Sequence, residues 1–536
     1  MTPSRSDTRS RIAVVAASFA VIVAGTAAFF WLSIKPVKDA ADGRLSRESQ
    51  ISSIAPAPIP TGVPFVGADG NDADGYPTKT IDGAGLRSLL AHERFDDVTR
   101  AFEVAQDAFE ADPTRETWIH DAARAFGTPE PELRAPLETW LAKSNGHWAA
   151  HLALGSHWWS VAVTRRGEKF AKDTPAQDFA AMDDGFAHAT PELEKALSLR
   201  PKLVTAIRLE ILMYRQRSGR ADERRLLDAG LAICPSCFQL RAAYLGGLEP
   251  RWGGSYILMD AFAREAKDPA RPRLRLLAGY ADLDRAKDLR FDKHYDEALA
   301  TIQRACALGD YWEFLFERAV IQDRRDDVPN ALADVDRAIA LRPGVAEVMA
   351  ERAHILFKQS DYDGATRQLI DALRLDPTDE DARHLFPLVV KGMSHIAWDA
   401  FQAGKQDEAL RLLDLGADLA PLDRDIDHRR TWILTGAGTH PDVAALQRAA
   451  AAAPDDIRAH QRVDYTLSMA KDFEPVLAMW SEYLGRHPED ARAHLERAGT
   501  YRALGRPYDG VADARFACDH GISEGCVRGF SMIDGR

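Results

Sequence analysis

The sequence predicts an all-α protein: one N-terminal transmembrane helix, a helical head domain, and an α-solenoid of stacked helix pairs. Three observations carry this. Small residues recur every 33 or 34 positions in the C-terminal half, and an uncharged run between basic flanks opens the chain. The composition is 46% hydrophobic, 28% charged and only 8% aromatic, which fits closely packed helices and excludes disorder throughout. At 536 residues the chain has room for three to four domains or one long array. A net charge of −13 gives no reason to expect nucleic acid as a partner, because phosphate binding needs a basic face. Five cysteines are too few for a disulfide-dense scaffold.

Residues 1–11 form a basic tail with Arg5, Arg9 and Arg11, and residues 12–34 follow without a charge until Lys35. At about 1.5 Å per residue this stretch spans about 34 Å, enough for a hydrocarbon core of about 30 Å. Ala24, Gly25, Ala27 and Ala28 could offer a signal cleavage site. Phe29-Phe30-Trp31-Leu32 continues the apolar run beyond them, which favours an uncleaved anchor with Trp31 at the interface. Cations lie on both sides, since Lys35, Lys38, Arg44 and Arg47 follow the run. A short basic tail stays cytoplasmic, so the expectation is a single-pass inner-membrane protein with its soluble part in the periplasm. Residues 35–85 read as a flexible linker, with Pro56, Pro58, Pro60 and Pro64 among small residues. Asp69, Asp72 and Asp74 before Gly75 do not make a calcium loop, because Gly70 and Ile81 fall where carboxylates are required. They read as a solvated acidic segment.

Residues 86–267 are helical in pattern but follow no 34-residue period. Segments 86–95 and 98–110 are amphipathic, and Trp140, His147-Trp-Ala-Ala-His151, Gly155 and Trp158-Trp159 follow. Arg165-Arg166-Gly167 comes next, and Pro250-Arg-Trp-Gly-Gly-Ser255 closes the block. This succession resembles a bacterial domain-of-unknown-function family (number 4034), the last motif being the most specific. The resemblance implies a helical domain commonly joined to tetratricopeptide repeats and supplies no activity. Cys234 and Cys237 depart from it. Physically, Arg251-Trp252-Gly253-Gly254 permits a tight turn anchored by Trp252, and it lacks the Gly-x-x-x-x-Gly-Lys-Ser/Thr pattern of a phosphate loop.

In residues 268–536, Ala319, Ala331, Ala338 and Pro343 reappear 34 positions later as Ala353, Ala365, Ala372 and Pro377. Ala286, Ala298 and Ala305 precede the first set by 33. Glu-Arg-Ala occurs at 317–319, 351–353 and 496–498. Small residues at these intervals suit two helices, A and B, that cross closely, with proline after helix B. Residues and period resemble the tetratricopeptide repeat. Units 312–343 and 346–377 match well, and 279–310 matches with Asp310 in place of the proline. Ala397, Ala409 and Pro421 keep the phase after a ten-residue insertion, Pro454 and Pro488 continue it, and 491–521 is the last unit.

Each unit leaves an apolar face that only its neighbour can cover, so the repeats should stack with helices A lining the ligand surface. The carboxylate clamp of some tetratricopeptide proteins is missing: fifth positions are Leu283, Phe316 and Ala350, and ninth positions are Lys287, Val320 and His354. Phe316, Val320, His354 and Phe357 would instead line a mixed apolar groove for a peptide or helix. The alternative reading makes Phe316 and Phe357 interhelical core.

No metal or cofactor is expected. His147 and His151 share a helical face, yet Trp148 stands where a zinc protease needs its glutamate, and His157 lies elsewhere on the surface. Cys234-Pro-Ser-Cys237 has thiol-oxidoreductase spacing but follows an apolar helical run, so a local disulfide is the preferred reading in an exported domain. Cys518 and Cys526 could bridge the last two helices, leaving Cys306 unpaired. No nucleophile elbow or dinucleotide fingerprint stands out. The expected function is a membrane-anchored protein–protein interaction scaffold of the bacterial cell envelope. The alternative is an accessory enzyme or thiol-redox factor acting through residues 86–267.

Overall fold

The computed structural model describes residues 51, 54 and 56–526, apart from 168, 218, 422, 436–442, 521, 523 and 524. The expected basic tail and transmembrane anchor therefore lie outside the described residues. Among the latter, no helix is long and apolar enough to cross a membrane. The chain is an all-α solenoid resembling the tetratricopeptide repeat, with 24 α-helices described.

One short hairpin precedes the 24 helices. Strand β1 (Phe65–Val66) pairs antiparallel with β2 (Thr80–Ile81), Phe65 facing Ile81. Residues 65–81 of the expected flexible linker thus form a packed hairpin. Ile81 is 1% exposed and Tyr76 is buried. The Asp72 carboxylate accepts from the backbone N–H of Asp74 and Tyr76, both at 2.9 Å. Asp72 also pairs with Arg273, and Asp74 with Arg275. The aspartates that read as solvated are thus matched to arginines 201 residues downstream. The Arg273 guanidinium also lies 4.2 Å from the Tyr76 ring centroid.

The head holds ten helices: α1 (Gly83–Ala91), α2 (Phe95–Ala111), α3 (Glu116–Arg124), α4 (Pro131–Lys143), α5 (Trp148–Arg166), α6 (Ala176–Leu199), α7 (Val204–Gln216), α8 (Arg220–Ile233), α9 (Phe238–Gly247) and α10 (Tyr256–Ala266). Its centre is aromatic, with Phe102, Phe126 and Trp140 wholly buried and in mutual ring contact. Helices α5 and α6 approach closely because Gly185 carries no side chain; a Cβ there would lie 2.9 Å from the Cα of Ala162. The Glu116 carboxylate reaches the start of α9 and accepts from the N–H of Phe238 and Gln239 at 3.0 and 3.2 Å. Burial pushes Glu116 up to about 7, against the pull of those two N–H groups and of Arg273 and Arg342.

The array continues with α11 (Tyr280–Phe291), α12 (Tyr295–Cys306), α13 (Trp312–Arg324), α14 (Val328–Leu341), α15 (Ala346–Lys358), α16 (Tyr362–Leu375), α17 (Glu380–Gln402) and α18 (Gln406–Leu419). It then runs through α19 (Arg424–Thr435), α20 (Val443–Ala452), α21 (Ile457–Met469), α22 (Phe473–Arg486), α23 (Ala491–Ala503) and α24 (Pro507–Asp519). Odd-numbered helices are A and even-numbered ones B. Every alanine of the three repeated sets is 0% exposed, as close helix crossing demands. The ten-residue insertion is absorbed by lengthening a single helix: α17 has 23 residues where α13 and α15 have 13.

The Glu-Arg-Ala tripeptide now has a physical account. Glu317 is 1% exposed and accepts from Arg290 of the preceding helix A at 2.6 Å. Glu496 accepts from Arg430 at 2.6 Å and Gln461 at 2.7 Å. Arginine then ties helix A to its own helix B, Arg318 to Asp334 and Arg497 to Asp513, each at 2.6 Å. Arg352 reaches Asp336 on the preceding helix B at 2.7 Å and Gln368 on its own at 3.3 Å. Ala319, Ala353 and Ala498 fill the crossing.

One hydrophobic cluster runs unbroken from Ile81 to Ile321. The expected division at 267/268 is therefore not a break in packing, and head and first repeats share a core. A polar node joins them further. Asp121 of α3 binds Arg342, which follows α14, and Arg342 Nε lies 3.1 Å from Asp121 Oδ2. Thr80 of the hairpin donates to the same carboxylate at 2.7 Å, and Arg124 reaches the Gly344 carbonyl at 2.7 Å.

Candidate partner-binding face

The ninth position of helix A forms a column down the array. From Val320 on α13 and His354 on α15 it continues, across the 44-residue step of the insertion, to Trp398 on α17, Trp432 on α19 and Tyr465 on α21. The upper part is not the apolar groove expected from Phe316, Val320, His354 and Phe357. Phe316 packs against the α13–α14 cluster, and Val320 is buried. Phe357 meets the Tyr362 ring at 5.4 Å and lies against Gly392 of α17. Both phenylalanines thus do interhelical packing, and His354 stays at the surface in a charged cluster.

In that cluster Asp323 is 2% exposed and faces His354 Nδ1 at 3.3 Å, Lys358 Nζ at 2.9 Å and Arg324 at 2.6 Å. Burial would raise its carboxyl, but hydrogen bonds from His354 and Lys358 outweigh this and hold it at about 2. Asp323, Glu351 and His354 place ligand atoms within 4.8 Å of one another, the one such trio among the described residues. Two cationic side chains already sit on Asp323, so a divalent ion would have to displace them. The arrangement is an ion-pair cluster between successive A helices.

Lower in the column the chemistry becomes aromatic. Trp398 and Trp432 meet edge to face at 6.4 Å, and Phe401 lies 5.5 Å from Trp398. The Arg429 guanidinium sits 5.3 Å from the Trp398 ring. Trp432, on α19, remains 42% exposed. Tryptophan and arginine are the residue types that anchor protein interfaces. The sequence reading missed this pair, although its signal was present: the two tryptophans are spaced by the 34-residue repeat itself.

The other singled-out residues are dispersed. His147 caps α5, its Nδ1 accepting from the Ala149 N–H at 3.3 Å, while His151 pairs with Glu192 at 2.5 Å. His157 Nδ1 donates to the Thr128 carbonyl at 2.8 Å. The shared helical face therefore does not become a shared site. Cys234 and Cys237 are joined to each other, as are Cys518 and Cys526, and Cys306 is free. Cys234 ends α8 and Cys237 precedes α9, at 3% and 0% exposure, which denies a substrate thiol access to either sulfur. Burial pushes the Cys306 thiol up to about 11.

No family model and no curated protein matches the chain, so the resemblance of residues 86–267 to family 4034 is not confirmed. Solved structures similar to it include the P58(IPK) TPR domain, 14% identical over 82% of this chain and 99% of that one, with a TM-score of 0.21. The structure of Naa15/Naa10 bound to HypK-THB is 13% identical over 81% and 68%, with a TM-score of 0.30. The TPR2AB-domain:pHSP90 complex of yeast Sti1 is 14% identical over 43% and 98%, with a TM-score of 0.19.

Proposed function

We propose that this chain is a membrane-anchored protein–protein interaction scaffold of the bacterial cell envelope, held in the inner membrane by residues 12–34. The observation that carries the binding role is the Trp398–Trp432 pair, half-buried and exposed respectively, with Arg429 on successive A helices. Its partner is a protein or peptide that buries apolar side chains there, flanked by the Asp323–His354–Lys358 cluster.

A photo-crosslinking residue placed one helical turn from Trp398, at the exposed Gln402, should capture one dominant partner from cells. Truncating an interface tryptophan of this kind costs about 2 kcal/mol or more. The double change Trp398→Ala and Trp432→Ala should therefore weaken binding of that captured protein by about 30-fold or more. Circular dichroism should stay unchanged, because neither ring is fully buried. Equal binding by the double variant would sink the assignment.

Export is supported by the pairing of four of the five cysteines, since disulfides persist in oxidising compartments. Tyr508 is 74% exposed near the end of the array. With Tyr508→Cys in intact cells, a maleimide that cannot cross the inner membrane should label the protein once the outer membrane is opened. Labelling only after lysis of the inner membrane would place the solenoid in the cytoplasm instead.

A further inference from the structure

The two sequence motifs that the scaffold role leaves idle meet in space. Arg166 ends α5, and Arg251-Trp252 belongs to a single 3₁₀ turn, Pro250–Trp252. That turn is fixed by the glycines behind it: Gly253 has φ +77°, and a Cβ on Gly254 would fall 1.9 Å from the Leu248 carbonyl oxygen. Only this backbone lets Trp252 face α5. The guanidinium carbons of Arg166, Arg215 and Arg251 then lie 5.4, 5.5 and 5.2 Å from its ring centroid.

Glu223 and Glu249 face Arg215, but charge in the adjoining cavity is not balanced. A cavity of about 550 Å³ opens there, lined by Arg166, Lys169, Arg217 and Arg251 and by one carboxylate, Asp183. Asp183 is already engaged by Arg217 at 2.9 Å. Arg166 is 5% exposed, and its Nη1 donates to the carbonyls of Gly167 and Lys169 at 3.0 and 3.3 Å. No carboxylate of the described residues pairs with it, and its Nε is buried without a partner. Gln216, also on the lining, has a buried Oε1 without a partner. A guanidinium withdrawn from water is costly unless an anion answers it, and here the cavity is where an anion would sit. Burial and the Arg251 charge both lower the pKa of Arg166, a penalty on its charged form that an anion would offset. The remaining wall is apolar: Met182 is 2% exposed at the floor, and Phe170, 59% exposed, stands at the lip. The volume lies within the range of small-molecule sites, about 300–1,000 Å³.

We propose that this pocket of the head binds a small organic oxyanion, a phosphate or carboxylate group carried on an apolar body. The oxyanion bridges Arg166 and Arg251, and the body lies along Met182 and Phe170. Fork-shaped guanidiniums suit either group, so the assignment is to the shared chemistry.

Calorimetric titration of the full chain in detergent micelles tests it with three probes: phenyl phosphate, benzoate and inorganic phosphate. At least one aryl anion should bind saturably, one per chain, and about 10-fold more weakly in Arg166→Gln and in Arg251→Gln. Arg251 is exposed, so R251Q carries the test if R166Q does not fold. Inorganic phosphate bound as tightly as phenyl phosphate would overturn the apolar body. Absence of saturable binding for all three, or binding that R251Q leaves unchanged, would overturn the site.

Discussion

Arg342→Met should lower the stability of the chain by about 3–5 kcal/mol, the usual loss when one partner of a buried ion pair is removed. Asp121 is 4% exposed and Arg342 8%, so the carboxylate left behind has little water to turn to. The surface partner Arg124, 3.1 Å from Asp121, is a poor substitute because its side chain is 41% exposed. Thr80 donates to the same carboxylate, so the damage should spread to the hairpin. Urea unfolding would measure the loss, and hydrogen exchange should show residues 65–82 opening first. The double change Arg342→Met with Asp121→Leu should restore most of the loss, because it strands no charge. A single variant costing under about 1 kcal/mol would show that the shared core, not this node, joins head and array.

Arg430→Met should have an effect of similar size, about 3–5 kcal/mol, in a different place. Arg430 is 2% exposed and spans three helices, meeting Asp414 of α18 at 2.8 Å and Glu496 of α23 at 2.6 Å. Its Nη1 also donates to the Tyr465 hydroxyl of α21. Removing it takes a cation from two buried carboxylates, close to a third, Asp464, which burial and the Glu496 charge push up to about 6. Repeat arrays hold together mainly through neighbouring units. Exchange protection should therefore fall across α19–α24 while the head keeps its own. Uniform loss of protection across the whole chain would mean that the array unfolds as one cooperative block.

What the sequence disclosed follows the reach of each interaction. The alanines of the repeats are legible because helix crossing imposes the same small residue at every turn of the array, so Ala319 and Ala353 declare each other. The hairpin of residues 65–82 is illegible for the opposite reason. Its ordering comes from Arg273 and Arg275, which no local pattern connects to Asp72 and Asp74. Glu-Arg-Ala could be seen but not interpreted, since glutamate and arginine point to different neighbours. Within the candidate face, Phe316 and Phe357 misled because a phenylalanine facing a groove and one wedged between helices have the same spacing. Trp398 and Trp432 escaped notice behind the insertion that shifts them from the upper repeats by 44 instead of 34.

Helices α1 and α24 are not strangers. His92, which ends α1, lies 3.0 Å from Asp519, the final residue of α24, 427 positions later. A linear stack has two loose ends, and each terminal unit, held by one neighbour only, opens more often than those inside. Here the tail touches the head, so breathing of the final hairpin is linked to the first helix of the opposite end. The link is worth about 1 kcal/mol at most for a partly exposed pair. Even so, a disturbance at α24 has a short route to α1, without passing through the helices between.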